Sequence, residues 1–155
     1  MTANMQGKVC LITGGARGIG REAALLLADM GAHLILVDWE GEAGTRTRDK
    51  INAGGSGSAE YRYCDLSSLA EVRNLAAGVL ADHDRLDVLI NNAGITDPVR
   101  RVSPDGFEMH VATCHLAHFL LTHLLLDLLK ASAPARIILI SSEAHKAGPG
   151  LDLLT

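Results

Sequence analysis

With 155 residues and a net charge of −4 from 14 basic and 18 acidic side chains, the chain has the size of one domain, residues 1–155. It leaves no room for a separate substrate domain and offers no basic face to a nucleic acid. Its three cysteines, Cys10, Cys64 and Cys114, are odd in number, widely spaced and without a CxxC pair, which speaks against a disulfide framework and for a reducing, cytoplasmic location. The opening MTANMQGK has no apolar stretch behind its charge and reads as neither signal peptide nor anchor. The most apolar window, Leu116 to Leu129, is too short for a bilayer and carries His118, His123 and Asp127, so no membrane span is expected.

Along the chain, short apolar runs alternate with longer stretches of helical period, the pattern of a parallel sheet covered by helices. The first strand is expected at Lys8 to Thr13, followed by a glycine-rich turn and a helix over Gly18 to Met30 that Gly31 ends. A strand at His33 to Asp38 precedes a helix at Glu42 to Ala53 and a Gly54 to Ser58 turn. Next come a strand at Glu60 to Cys64 and a helix at Leu69 to Asp82 that Ser67 or Ser68 can cap. A strand at Leu86 to Asn91, a long helix at Asp105 to Ala131 and a strand at Arg136 to Ser141 complete the series. Cys10 and Cys64, in apolar strand runs, read as small buried hydrophobes.

The strand KVCLIT runs directly into GGARGIG, inside which the helix starts. That context turns a weak glycine pattern into the signature of a dinucleotide site. Gly14 makes the tight turn, Gly18 lets backbone approach a pyrophosphate, and Gly20 lets the helix pack against the strand. Backbone N–H groups at the helix N-terminus then face the anion. Asp38, at the end of the second strand and about twenty residues further on, is placed to accept from the adenosine ribose hydroxyls. Its charge would repel a 2′-phosphate, which favours NAD over NADP, while Arg17 in the glycine loop would offset part of that repulsion. Asp38 also suits a helix N-cap. Asp65, after the third strand, suits either the adenine amino group or the cap of the next helix.

TGGARGIG together with LDVLINNAGI at Leu86 to Ile95 resembles the short-chain dehydrogenase/reductase family, from Gly7 onward. The runs DGFEMHVATCHLAHFLLTHLLLDLLK and ARIILISSEAHKAG resemble its retinol-dehydrogenase-like branch. The resemblance implies a Rossmann-type, doubly wound α/β sheet of about five strands in the order 3-2-1-4-5, without the family's C-terminal strands and helices. It implies dinucleotide contacts from Gly14, Arg17, Gly18, Ile19, Gly20, Asp38, Asp65, Leu66, Asn91, Ala93 and Gly94, and hydride exchange between NAD and an alcohol or carbonyl. Ser142 matches the family's substrate-positioning serine. The family's Tyr-x-x-x-Lys pair is expected beyond residue 155, and neither Tyr61 nor Tyr63 substitutes, since Asp65 and Ser67 stand four residues after them. Cys114 aligns with the asparagine of the proton relay, whose paired donor and acceptor a thiol does not reproduce, and Ala117 with a glycine.

This chain by itself is therefore expected to catalyse poorly or not at all. Two alternatives stand beside that reading: a non-enzymatic module for nucleotide sensing or protein interaction, and a fragment of an active full-length dehydrogenase. His110, Cys114 and His118 share a helix face, but no fourth ligand is evident and no metal is expected. His115 and His123 read as polar edges of the same helix. Apolar residues on several sides of it, Val111, Phe119, Leu120, Leu124 and Leu128 among them, ask for a partner helix or a second subunit.

Overall fold

A computed structural model describes residues 4–143. In chain order the elements are β1 (Val9–Thr13), α1 (Gly18–Asp29), β2 (His33–Asp38), α2 (Gly41–Gly54), β3 (Ser58–Tyr63), α3 (Leu69–Asp82), β4 (Val88–Asn91), a π-helical segment (Val111–Leu116) that runs into α4 (Ala117–Ala131), and β5 (Arg136–Leu139). The sheet order is β3-β2-β1-β4-β5, with every neighbouring pair parallel.

Strand periodicity sorts the core into two layers. Cys10, Ile12, Leu34 and Leu36 face α1 and α2, where Ala24, Ala28 and Ile51 meet them. Leu11, Ile35, Val37 and Leu89 face α3 and α4, packing on Val72, Leu75, Val79, Leu121 and Leu125. The central strands are apolar on both sides because both sides are covered, as the continuous runs of the sequence imply.

The bounds of β2 and α3 match those read from the sequence, and the others shift by a residue or two, with one larger difference. The long helix was expected from Asp105, but the chain from Val102 to Glu108 turns back on itself: Ser103 N–H donates to Phe107 O at 2.7 Å, Gly106 takes a φ of +85°, and Val102 pairs with Glu108. Pro104-Asp105-Gly106 is a turn sequence. Asp105, a good helix starter by type, accepts instead from the Leu69 N–H of α3 at 2.8 Å. Ser68 is the N-cap of α3, its hydroxyl accepting from Glu71 N–H.

Asp87 ties the N-terminal ends of the inner strands together. Its nearly buried carboxylate accepts from Lys8 Nζ, Val9 N–H and both Nε and NH2 of Arg85, at 2.6 to 2.9 Å. Burial pushes its pKa up, but the hydrogen bonds from Arg85, Val9 and Lys8 outweigh burial and hold it well below the usual carboxylate value. Because the folded-state pKa is depressed, this contribution is complete above the unfolded value and is lost as pH falls below about 4. Asp87→Asn should cost about 1–3 kcal/mol at neutral pH. It should also flatten the fall of stability in acid, both read by urea unfolding at a series of pH values.

The unbroken helix Val111–Ala131 spans 21 residues and, by length and composition, is long and apolar enough to cross a bilayer, which the shorter window considered in the sequence is not. Here its stripe Ala117, Leu121, Leu125 and Leu129 is buried within the domain. The apolar surface expected on this helix is mostly covered: Leu125 is buried, Leu120, Leu124 and Leu128 pack on the core, and among the residues named only Phe119 is largely exposed. Among the described residues the larger exposed apolar stretch is instead Ile137, Ile138 and Leu139 of β5 with Ile140 after it, where Leu139 is 71% exposed.

Candidate functional site

The C-terminal ends of β1 to β4 open onto a cleft of about 630 Å³, in the range of small-molecule sites. In parallel sheets this edge, where the strand order reverses between β1 and β4, is where ligands are held. A smaller cleft of about 310 Å³ lies between α1 and α2, beside Gly54 and Gly57.

The β1–α1 turn forms the floor of the larger cleft. Gly14 has a φ of +69°, and its N–H and that of Gly15 both donate to Val37 O, at 2.8 and 3.2 Å, which anchors the turn to β2. A Cβ on Gly20 would stand 2.1 Å from Gly14 O, so helix and turn meet backbone to backbone. Gly18 differs from both. A Cβ there would touch nothing within 4 Å, its φ is +55°, and it lines the cleft. Packing does not require that glycine; its left-handed backbone does. The N-terminus of α1 has no side-chain cap and no acidic residue in its first turn, whereas α3 has Ser68, Asp105 and Glu71. The first N–H groups of α1 are left for an anion.

Asp38 closes one end of the cleft. Its Oδ2 accepts from Ala16 N–H at 3.0 Å and its Oδ1 from Glu40 N–H at 3.1 Å. Each oxygen keeps a lone pair, so the loop and a ligand hydroxyl can be held together. Arg17, 70% exposed, forms an ion pair with Glu40 at 2.7 Å, a partner the sequence did not suggest. Trp39, also exposed, lies beside Asp38 on the lining.

Ile19, Asp65, Leu66, Ala93 and Gly94 line the cleft as well. Asp65 Oδ1 accepts from Ser67 N–H at 2.8 Å within its own turn. Asn91 is not on the lining. Its side chain is buried, Nδ2 donates to Thr122 Oγ1 at 3.0 Å, and Oδ1 is a buried acceptor without a partner among the described residues. The next residue, Asn92, is the one that reaches the cleft, with Nδ2 donating to Thr13 O at 2.9 Å.

Behind the lining, Thr13 joins the two halves of the sheet. Its buried Oγ1 accepts from the N–H groups of Asn92 and Ala93, both at 3.0 Å, and lies 3.0 Å from His118 Nε2. His118 Nδ1 is 3.2 Å from Cys114 O, which can only accept. The ring proton therefore belongs on Nδ1, and Nε2 accepts the Thr13 hydroxyl proton. One donor and two lone pairs of the threonine are all used. Burial pulls the His118 pKa down, the Cys114 carbonyl opposes this and His115 adds to it, so the ring is neutral at pH 7, as the network requires.

Cys114 is exposed in the π-helical segment, and a Cβ on Gly94 would lie 3.8 Å from its sulfur. The face shared by His110, Cys114 and His118 is dispersed into separate contacts. His110 Nε2 accepts from Asp97 N–H at 3.0 Å, so its Nδ1–H donates to Glu108 Oε1 at 2.8 Å. Tyr61 donates to Asp38 O at 2.7 Å. Its pKa is pushed up to about 12 by burial and then by the Asp38 charge, the opposite of what a proton-transfer tyrosine needs. Ser142 follows β5 and is exposed.

Residues 8–151 match the family model for short chain dehydrogenase. Over 148 residues the chain is 45% identical to human retinol dehydrogenase 11, a match that covers 95% of this chain and 46% of that protein. It is 44% identical to human retinol dehydrogenase 13, covering 94% of this chain and 44% of the other. It therefore spans about half the length of the curated relatives it matches. Among solved structures, a metagenomic short-chain oxidoreductase in complex with NADP aligns with a TM-score of 0.76 at 33% identity, over 87% of this chain and 61% of the other. A short chain dehydrogenase from Shigella flexneri aligns with a TM-score of 0.81 at 28% identity, over 94% of this chain and 59% of the other. The glycine turn, the NNAG turn after β4 and these matches together make the chain a member of the short chain dehydrogenase family, of the retinol-dehydrogenase-like kind.

Proposed function

We propose that this chain binds NAD in the cleft at the strand ends, as the nucleotide-binding part of a dehydrogenase acting on an alcohol or carbonyl. The observation that carries the reading is the pair formed by open Gly18 and the uncapped α1 N-terminus, a backbone cradle that no side chain among the described residues fills. Gly14, Arg17, Gly18, Ile19 and Gly20 would hold the pyrophosphate side, Asp38 the adenosine ribose, Asp65 and Leu66 the adenine, and Ala93 and Gly94 the nicotinamide side. When bound, the nicotinamide supplies the hydride acceptor or donor. Ser142 would position the substrate, and Cys114 stands at the relay position with a weaker hydrogen-bonding group. The retinol dehydrogenases among the relatives support a retinoid or similarly apolar alcohol. The three free thiols support a reducing, cytoplasmic setting.

The preference for NAD rests on charge. With the ribose held by Asp38, that carboxylate would repel a 2′-phosphate, and Glu40 engages the guanidinium that would otherwise offset it. Two like charges about 5 Å apart repel by about 3 kcal/mol at a protein-surface effective dielectric. Titrating the purified chain with each cofactor should give tighter binding of NAD. Asp38→Asn should weaken NAD by about tenfold and strengthen NADP by about 10- to 100-fold. Tighter binding of NADP by the unmodified chain, or no saturable binding of either, would overturn the reading.

A further inference from the structure

Away from the cleft, the sheet assembles a second cluster of groups suited to a ligand. On β3, Ala59 and Tyr61 face α1 and α2, so the alternate residues Glu60 and Arg62 face α3. The parallel register pairs His33 with Ser58 and Ile35 with Glu60, bringing the first residue of β2 beside them. His83, the residue that ends α3, reaches the same place: its ring centroid is 5.7 Å from that of His33, and its Nε2 is 3.0 Å from Glu60 Oε1. One donor atom from each of His33, Glu60 and His83 lies within 4.8 Å of the others.

We propose that His33, Glu60 and His83 form a binding site for a borderline first-row divalent cation, with Zn²⁺ as the reference ion. Two imidazoles and one carboxylate are a donor set that such ions accept, with a water to complete a tetrahedron. A tetrahedral ion with bonds of about 2.0 Å places adjacent donors roughly 3.3 Å apart. The Glu60–His83 pair is already near that separation, so closing the site requires mainly a modest approach of His33. An outer-shell partner is also in place. His33 Nδ1 lies 2.7 Å from Ser58 Oγ, which holds the ring by one nitrogen and leaves the other to the ion. The three ligands come from the start of one strand, the middle of the next and the end of a helix. Cation binding would therefore fasten α3 to the edge of the sheet.

The plainer account of this cluster is an ion-pair network around Arg62. Its Nε donates to Glu60 Oε1 at 2.7 Å and its NH2 to Asp82 Oδ2 at 2.8 Å. The two accounts differ in what the unmodified chain does with an ion. If Glu60 only neutralises Arg62, no stoichiometric ion binds while the guanidinium is present. If Glu60 is a ligand, Arg62 is the competing cation. Arg62 Nε holds the same Oε1 that meets His83 Nε2, and its NH2 is 3.5 Å from that nitrogen, so a bound ion must displace the guanidinium to the second carboxylate oxygen and Asp82.

The test is Zn²⁺ titration of the chelator-treated chain by calorimetry, with Co²⁺ absorbance reporting imidazole ligation. One equivalent is expected, lost in Glu60→Gln and in His83→Gln, weakened about 10- to 100-fold in Ser58→Ala, tightened in Arg62→Gln and unchanged in His110→Gln. Should His83→Gln fail to fold by circular dichroism, His33→Gln at the strand end takes its place, with loss of binding again expected. No saturable binding up to about 1 mM Zn²⁺, binding that survives Glu60→Gln, or weaker binding in Arg62→Gln would overturn the proposal. None of these readouts depends on the dinucleotide.

Discussion

Gly20→Ala is expected to destabilise the domain by several kcal/mol and to abolish dinucleotide binding, although it introduces the best helix former inside a helix. In an open helix the exchange stabilises by about 1 kcal/mol. Here the added carbon would stand 2.1 Å from Gly14 O and 2.6 Å from Asn92 Nδ2. Gly14 cannot retreat, because its own N–H and that of Gly15 are bound to Val37 O, and Asn92 is bound to Thr13 O. The first turn of α1 must move instead, away from the strand and out of the position in which its N–H groups converge. Overpacking of side chains costs about 1–3 kcal/mol, and two backbones yield less readily than two side chains. A fall in melting temperature of about 5 °C or more, with loss of NAD binding by titration, is the expected result. Gly41→Ala is the matched control. Its Cβ meets nothing within 4 Å, so stability should be unchanged or slightly raised.

Thr13→Val is expected to be nearly as severe, for a reason that has nothing to do with packing. Valine has the shape of threonine, and position 13 is fully buried, so no water replaces the lost oxygen. The N–H groups of Asn92 and Ala93 lose their acceptor and His118 Nε2 loses its donor. At about 1–3 kcal/mol for each buried group left unpaired, a loss of about 3–5 kcal/mol follows. Thr13→Ser keeps the hydroxyl and should cost about 1 kcal/mol, the worth of one methyl group. Urea unfolding of the three proteins separates the effects; near-equal losses for valine and serine would show that the methyl, and not the hydrogen bonds, matters. The same hub makes the fold sensitive to mild acid. The folded-state pKa of His118 is depressed below 6.5, so its contribution is complete above 6.5 and is lost as pH falls below that value. A protonated ring brings a third donor to an oxygen whose two lone pairs are already taken by the N–H groups of Asn92 and Ala93.

These two sites show what a linear reading reaches. The turn at Gly14 and the close approach at Gly20 were legible because each is a local demand written within seven residues. β2 and α3 were legible for the same reason: an unbroken apolar run and a clear period. The start of the long helix was not, since Asp105 is a good helix starter by type and only the fold reveals that it serves Leu69 in another helix. Asn91 and Asn92 were indistinguishable as letters. Strand alternation sends the first into the core toward Thr122 and leaves the second at the cleft. The pairing of Arg17 with Glu40, and the meeting of His33, Glu60 and His83, join residues far apart in the chain. No local pattern encodes such distances.

The reach of Asp105 back to Leu69 also bears on the order in which the molecule is assembled. The two residues are 36 apart in sequence, and the turn that carries Asp105 follows β4 in the chain. The first turn of α3 can form early on Ser68 alone, but its Leu69 amide is sealed only when that later turn has docked. Leu69 thus marks completion: protection of its amide from exchange would lag behind that of the interior of α3 and arrive together with the closing of the wall of the cleft.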